Sequence, residues 1–410
     1  MKKLLLLLAL SAPLFCNAQY IVTYAGNGSA TDTGNGGNAK NAGIESAYGM
    51  AFDQYHNLYV LEGSRIRKIG TNGSIADVAP VTVTAPLHQA PILVDKAGNV
   101  FYSNSSGNIY KVAYGTTAST LYAPAVMPMS FCMDTAGNLY YSDYSTCRIN
   151  KVTPDGVTTR YAGTGLCSGA VGDDTIATAA TLNRPRGIFL RPNGDMYVAE
   201  YGSNRVRKIM PGGWGIVTVA GSGSAAYSGD GGAAITAGVP NVTDVAVDAG
   251  GSVYILETGV IRKINGDGVI YKIAGGYNVA DYAADGAASG AARFDDPTAI
   301  EFGPCDNLFI ADNGNHRIRE IVYATSCTTV GIADIINSED LTLYPNPAQG
   351  QLTIAAPAAI THISITNTLG QVIYASQPST KEVTVNIAAL PAGVYFVRVN
   401  EGVVRRFVKG

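Results

Sequence analysis

The residues of this chain whose types suit chemistry recur instead of clustering. Five acids, Glu62, Asp143, Glu200, Glu257 and Asp312, each close an apolar or aromatic run, and arginines follow a few positions on at Arg65, Arg148, Arg205 and Arg317. An acid and a base placed across a short hairpin loop can pair with each other and bond to the backbone. Four copies of that arrangement describe a scaffold, since a catalytic centre needs one asymmetric constellation. The Gly/Asp segments YSGDGG with Asp230, VGDD with Asp173 and Asp174, and AADG with Asp285 raise calcium as a candidate. Calcium takes about six to eight oxygens, more than one or two acids among glycines supply, so these segments read as turns. None of them has the Gly-x-x-x-x-Gly-Lys-Ser/Thr pattern that cradles a phosphate, and no Gly-x-Ser-x-Gly elbow is present. The cysteines show no Cys-x-x-Cys spacing and no Cys/His cluster for zinc. No metal or other cofactor is expected.

The elements that must position these residues are strands. Glycine numbers 48 of 410 residues, tyrosine 24 and tryptophan 1, while charged residues are 14% against about 25% in an ordinary soluble protein. Abundant turn formers and aromatic β-formers with few charges indicate an all-β chain. The 47% apolar content is enough to fill a sizeable core. Net charge is 28 − 31 = −3, so the basic field of a nucleic-acid binder is absent and no nucleic-acid partner is expected.

One pattern recurs six times between residues 20 and about 325. An apolar strand ends near Asp, a tight turn follows, and then come an aromatic strand, an acid and a basic strand. It reads MAFDQYHNLYVLEGSRIRKI from Met50, PILVDKAGNVFYSNSSGNIYKV from Pro91 and MSFCMDTAGNLYYSDYSTCRINKV from Met129. The later copies are RGIFLRPNGDMYVAEYGSNRVRKI from Arg186, TDVAVDAGGSVYILETGVIRKI from Thr243 and TAIEFGPCDNLFIADNGNHRIREI from Thr298. Equivalent turn residues Asn57, Asn99, Asn138, Asp195, Ser252 and Asn307 lie 42, 39, 57, 57 and 55 positions apart. A fourth apolar strand follows several copies, as at Val157 to Ala162 and Gly215 to Ala220. Four-stranded units repeating at this interval predict a β-propeller, here six-bladed.

The wording of the copies resembles the NHL family, whose motif runs as an apolar strand, D-x-x-G-N-L-Y-V-A-D and x-x-N-x-R-I-R-K-I. Copy two departs most, with Asn108 and Tyr110 where most of the others have arginine. The resemblance implies a propeller that binds one of many kinds of partner. Some NHL propellers are zinc-dependent lyases of hydroxyglycine peptides that hold the metal with channel histidines. Here His56 falls in a first-to-second-strand turn, His316 in a loop of the opposite face, His88 between blades and His362 in the C-terminal segment, so three histidines do not converge on one metal.

Closure of the ring is legible at its ends. Copy six stops after its third strand at Ile321, while the segment Tyr20 to Ala25 is an orphan with fourth-strand wording. It is expected to complete the last blade as a clasp, which removes two open edges. Alternating strand direction puts second-to-third and fourth-to-first loops on one face and the other turns on the opposite face. This predicts Cys147–Cys167 on the first face and Cys305–Cys327 on the second, each closing a loop of about 20 residues worth about 3 kcal/mol. Cys132 lies mid-strand as a buried free thiol.

Both ends carry targeting signals. Lys2 and Lys3, the run Leu4 to Leu10 and Cys16-Asn17-Ala18 before Gln19 read as a signal peptide over 1–18, and its removal takes the net charge from −3 to −5. No later segment reaches the about 20 apolar residues of a transmembrane helix. The propeller is expected over 19–325 and a polar linker over 326–340. Residues 341–410 alternate with period two between turn signals, which predicts a small Ig-like antiparallel sandwich of about seven strands. Tyr344-Pro345-Asn346-Pro347, Leu369-Gly370-Gln371 and Pro391-Ala392-Gly393-Val394-Tyr395 closely resemble the type A sorting domain of type IX secretion. That resemblance implies export across the outer membrane of a Gram-negative bacterium, the type IX machinery as partner, and a secreted or surface-attached product.

The reading of function is a binding or interaction module for an extracellular glycan, peptide or protein. The competing reading is an extracellular hydrolase or lyase using carboxylates at the channel mouth. Loops before the first strand are long in copies one, four, five and six, as in Gly26 to Ser46 and Gly163 to Arg184, and short in copies two and three. They are expected to rise as a one-sided rim around a site carrying Tyr48, Met129, Tyr144, Arg186, Tyr201 and His316. Tyrosine and arginine give large contact area with few rotors, which suits recognition.

Overall fold

The computed structural model describes residues 19–410 except 82, 84–89, 105, 169–171, 278, 280, 283–284, 324–340, 361–362, 368–371 and 400–402. The expected signal peptide, the expected linker, His88, His362 and Cys327 therefore lie outside the described residues. The chain divides into two compact units, Met1–Cys327 and Thr328–Gly410.

In the first unit each of the first five sequence copies folds into a four-stranded antiparallel sheet with its strands in chain order, and the sixth supplies three strands of another such sheet. In blade one these are Gly49–Phe52, Leu58–Leu61, Arg65–Ile69 and Ile75–Pro80. The first-to-second turns form because an aspartate bonds its own backbone ahead. Asp95 Oδ1 accepts from the amides of Ala97 and Asn99, and Asp134 Oδ1 from those of Ala136 and Asn138. Gly98 and Gly137, both at φ 81°, supply the left-handed residue these turns require. In blade one His56 occupies that position at φ 64°, so its role there is conformational.

First strands of successive blades touch in a closed cycle from one through six and back to one, which makes the unit a propeller with six four-stranded sheets among the described residues. The apolar core lies between the blades. Met50, Leu58 and Val60 of blade one, for example, pack against Phe309 and Ala311 of blade six. Blade six is completed by Tyr20–Ala25, antiparallel to Arg317–Val322 with Ile21 opposite Ile321. Ile21 and Ala25 are fully buried, and the amide and hydroxyl of Thr23 both donate to Asp285 at 2.8 Å.

The second unit is a two-sheet sandwich of seven strands. One sheet has Thr342–Tyr344, Gln351–Ile360 and Thr380–Asn386 in order, the other Val372–Ser376, Ile363–Thr366, Gly393–Val399 and Val403–Lys409. Leu352, Ile354, Ile365, Val385, Val397 and Phe407 fill the space between the sheets. The Tyr395 hydroxyl donates to the Pro391 carbonyl at 2.8 Å.

Candidate functional site

The repeated acids do meet arginines, but not the ones expected. Glu62 pairs with Arg67 at 2.6 Å, Glu200 with Arg207 at 3.2 Å, Glu257 with Arg262 at 3.4 Å and Asp312 with Arg319 at 3.7 Å. These four arginines are wholly buried. The arginine that opens the third strand sits at the hairpin mouth, where loop groups compete for it. Arg205 donates to the carbonyls of Ser203 and Ser222, Arg317 to those of Asn315 and Asn27, and Arg65 pairs with Asp32 and Asp77. Two residues on, the side chain points to the same face one pleat deeper. Water is excluded there, and the acid's charge has to be matched by protein. In blade three Asn150 takes this position, and Asp143 accepts instead from Ser145 and Thr146.

The Gly/Asp segments also correct the expectation that they are turns and nothing more. Asp32, Asp173, Asp230 and Asp285 bring a second carboxylate to Arg67, Arg207, Arg262 and Arg319 respectively. Each buried arginine is thus held between a strand acid and a loop acid. Burial pushes Glu62 up to about 7 and Glu257 up to about 8, with the facing arginine pulling the other way. The long loops do not stand up as a rim. Their middle parts lie along their own blade and reach its third-to-fourth turn on the opposite face, where Ala39 N donates to Gly73 O and Ala234 N to Gly268 O.

The first strands enclose a central channel of about 250 Å³. Tyr48 and Met129 line it, among mostly apolar neighbours such as Ile92, Phe131, Ile188 and Ile300. Two acids interrupt this lining. Asp244 is buried, and its two oxygens accept from Val245 N at 2.9 Å and Ile300 N at 2.8 Å, which braces blade five against blade six. Burial still pushes its carboxyl up to about 7. Glu301 is pushed up to about 8 by burial and then by the charge of Asp244. Neither was singled out from sequence, although a column-by-column comparison of the copies exposes both. Counting back from the turn, Asp244 replaces Gly49, Pro91, Ser130, Gly187 and Ala299, and Glu301 replaces Ala51, Leu93, Cys132, Phe189 and Ala246.

Three of the expected recognition residues come together. The rings of Tyr144 and Tyr201 lie 6.3 Å apart and are inclined by 50°. The guanidinium of Arg186 sits 4.2 Å from the centroid of Tyr201 and 5.7 Å from that of Tyr144. Arg184, exposed and not foreseen, stands 5.7 Å from the Tyr144 ring on its own account. His316 does not join them: it takes a left-handed φ of 53°, and its Nδ1 lies 2.9 Å from the Glu45 carbonyl oxygen. The Cys147–Cys167 disulfide is present, with Cα atoms 5.4 Å apart, and Cys147 Sγ accepts from Arg184 N at 3.4 Å. Cys305 is disulfide-bonded, while its expected partner Cys327 falls outside the described residues. Cys132 is free and buried, its thiol pushed up by that burial. No group of three or more His, Cys, Asp and Glu side chains that could hold a metal occurs among the described residues.

Comparison with known proteins adds two findings. The family model described as the secretion system C-terminal sorting domain matches residues 342–409. The propeller is similar in fold to a structural genomics protein of unknown function from Bacteroides thetaiotaomicron, with a TM-score of 0.58 and 21% identity over 74% of this chain and 76% of that one. It is similar in the same sense to an auxiliary nutrient binding protein from Bacteroides thetaiotaomicron, with a TM-score of 0.55 and 17% identity over 75% and 77% of the two chains. Teneurin-3 from Mus musculus is 24% identical over 230 residues, which cover 43% of this chain and 8% of that protein. The chain therefore spans a small fraction of the curated relative it matches. The matched tail marks the chain for type IX secretion, so the protein is secreted or attached to the cell surface. Among the described residues no helix is long and apolar enough to cross a membrane.

Proposed function

We propose, from the premise that a type IX sorting tail carries this chain out of the cell, that it is an NHL-type propeller working as an extracellular binding module. In this reading residues 1–18 are a signal peptide, 19–325 the binding propeller and 326–340 a linker, while 341–410 engage the secretion machinery. The ligand is an extracellular glycan, peptide or protein. The carrying observation is the cluster of Tyr144, Arg186 and Tyr201, assembled from blades three and four at the ends of their strands. Tyr48 and Met129 extend the contact surface at the channel. Large aromatic faces around one guanidinium are the composition of recognition surfaces. The hydrolase or lyase reading gains no such support. Of the two channel acids, Asp244 already spends both oxygens on main-chain amides, which makes it a brace and a poor nucleophile or base.

The test is capture by the full chain on glycan and peptide arrays, comparing the parent with the Tyr144→Ala/Tyr201→Ala variant. The double variant is expected to lose at least about tenfold in affinity, with melting curve and circular dichroism unchanged. Undiminished capture would move the recognition surface elsewhere.

A further inference from the structure

Among the described residues Arg186 is the one buried arginine of the propeller without a carboxylate ion-pair partner. Arg67, Arg207, Arg262 and Arg319 are each clamped between two acids. Arg186 is buried too, at 8% exposure, yet among the described residues it has no ion-pair partner, and its Nε has no hydrogen-bond acceptor. Its pKa is lowered by burial, with Tyr201, Tyr144 and Asp296 pulling the other way. A buried guanidinium that lacks an ion-pair partner is costly to keep. At the same level of the first strand the other blades carry Tyr48, Ala90, Met129, Thr243 and Thr298, so the charge is not a requirement of the repeat.

The surroundings of Arg186 are those of an anion site in waiting. The Tyr201 ring lies against the guanidinium, with the ring centroid 4.2 Å away, and the paired Nη donors of an arginine suit a planar bidentate acceptor. The guanidiniums of Arg186 and Arg184 each lie 5.7 Å from the centroid of the Tyr144 ring. Arg184 is exposed, its guanidinium has no ion-pair partner among the described residues, and its backbone is tied to the Cys147–Cys167 bridge. Two cations beside one aromatic ring suit a chain of sugar rings that each carry one carboxylate. The C–H face of a pyranose lies against the negative face of the tyrosine while successive carboxylates meet the two guanidiniums.

We propose that this cluster binds the carboxylates of an acidic, uronate-containing glycan. The inference rests on the binding-module reading and specifies its ligand class. An acidic peptide supplies carboxylates but no rigid ring face for Tyr144, which is why the glycan is the occupant of choice here.

Isothermal titration of the full chain with polygalacturonate, its fully methyl-esterified form and poly-L-glutamate tests this directly. Binding is expected for polygalacturonate, with at least about tenfold weaker binding of the ester, and affinity should fall as salt rises. Arg186→Gln should weaken polygalacturonate binding at least about tenfold and Arg184→Gln about threefold. Arg184 is exposed, so its variant stays folded and decides the matter should Arg186→Gln fail to fold. The proposal is overturned if polygalacturonate does not bind, if its ester or poly-L-glutamate binds as tightly, or if Arg184→Gln and every folded Arg186 variant keep parental affinity. Loss of a neutral array ligand in Tyr144→Ala/Tyr201→Ala, alongside no response to polygalacturonate, would sink the uronate assignment and leave the binding module standing.

Discussion

Replacing Glu301 by glutamine is expected to stabilise the propeller, increasingly as pH rises from about 4.5 to about 8. The carboxyl sits in the channel wall beside Asp244, where burial and that neighbouring charge raise it from 4.5 to about 8. Between those two values the folded chain holds a proton that the unfolded chain has released. Stability contributed by this group is therefore complete at pH 4 and declines as pH rises through the window, levelling off above about 8. At about 1.4 kcal/mol per pH unit the loss accumulates to about 5 kcal/mol by pH 9. Glutamine keeps the shape and never ionises, so Glu301→Gln should recover most of this at pH 9 and change little at pH 4. For a domain of this size about 2 °C accompanies each kcal/mol, giving an upward shift of about 10 °C at pH 9. Calorimetric melting of parent and variant at pH 4, 6.5 and 9 reads the difference. A shift equal at all three values, or a variant less stable than the parent at pH 9, would refute the assignment of a raised carboxyl in the channel.

Two further outcomes follow from the braces. Deleting Tyr20–Ala25 empties the sites of Ile21 and Ala25 and bares the edge of Arg317–Val322, which should lower the melting midpoint by about 10 °C or more. An unchanged cooperative melt would show that the ring closes without this strand. Arg207→Met leaves Glu200 and Asp173 without their shared cation and should cost about 3–5 kcal/mol in urea unfolding, part of which Glu200→Gln restores in the double variant. If the single variant unfolds at the parental urea midpoint, the two-carboxylate clamp contributes nothing.

Strand positions, blade boundaries, the clasp and the sorting tail were all legible in the amino-acid sequence, because each rests on chemistry within a few residues. Alternation sets which side chains of Arg65–Ile69 face the core, Asp and Gly at Asp95 and Gly98 set the turn, and the tail motifs are contiguous. The same local logic placed Cys147 and Cys167 on one face, since strand direction alternates. What the sequence did not settle is which of several equivalent groups meet. Arg205 and Arg207 share a face of one strand, and only the depth of burial gives Glu200 to the second. The arrival of Asp173 from the preceding loop needs the folded path of that loop along its own blade. Asp244 and Glu301 become neighbours because blades five and six are packed side by side. Arg186 is distinguished from four other buried arginines by the carboxylates it lacks, and that is a property of ring closure, which decides what each interior charge finds opposite it.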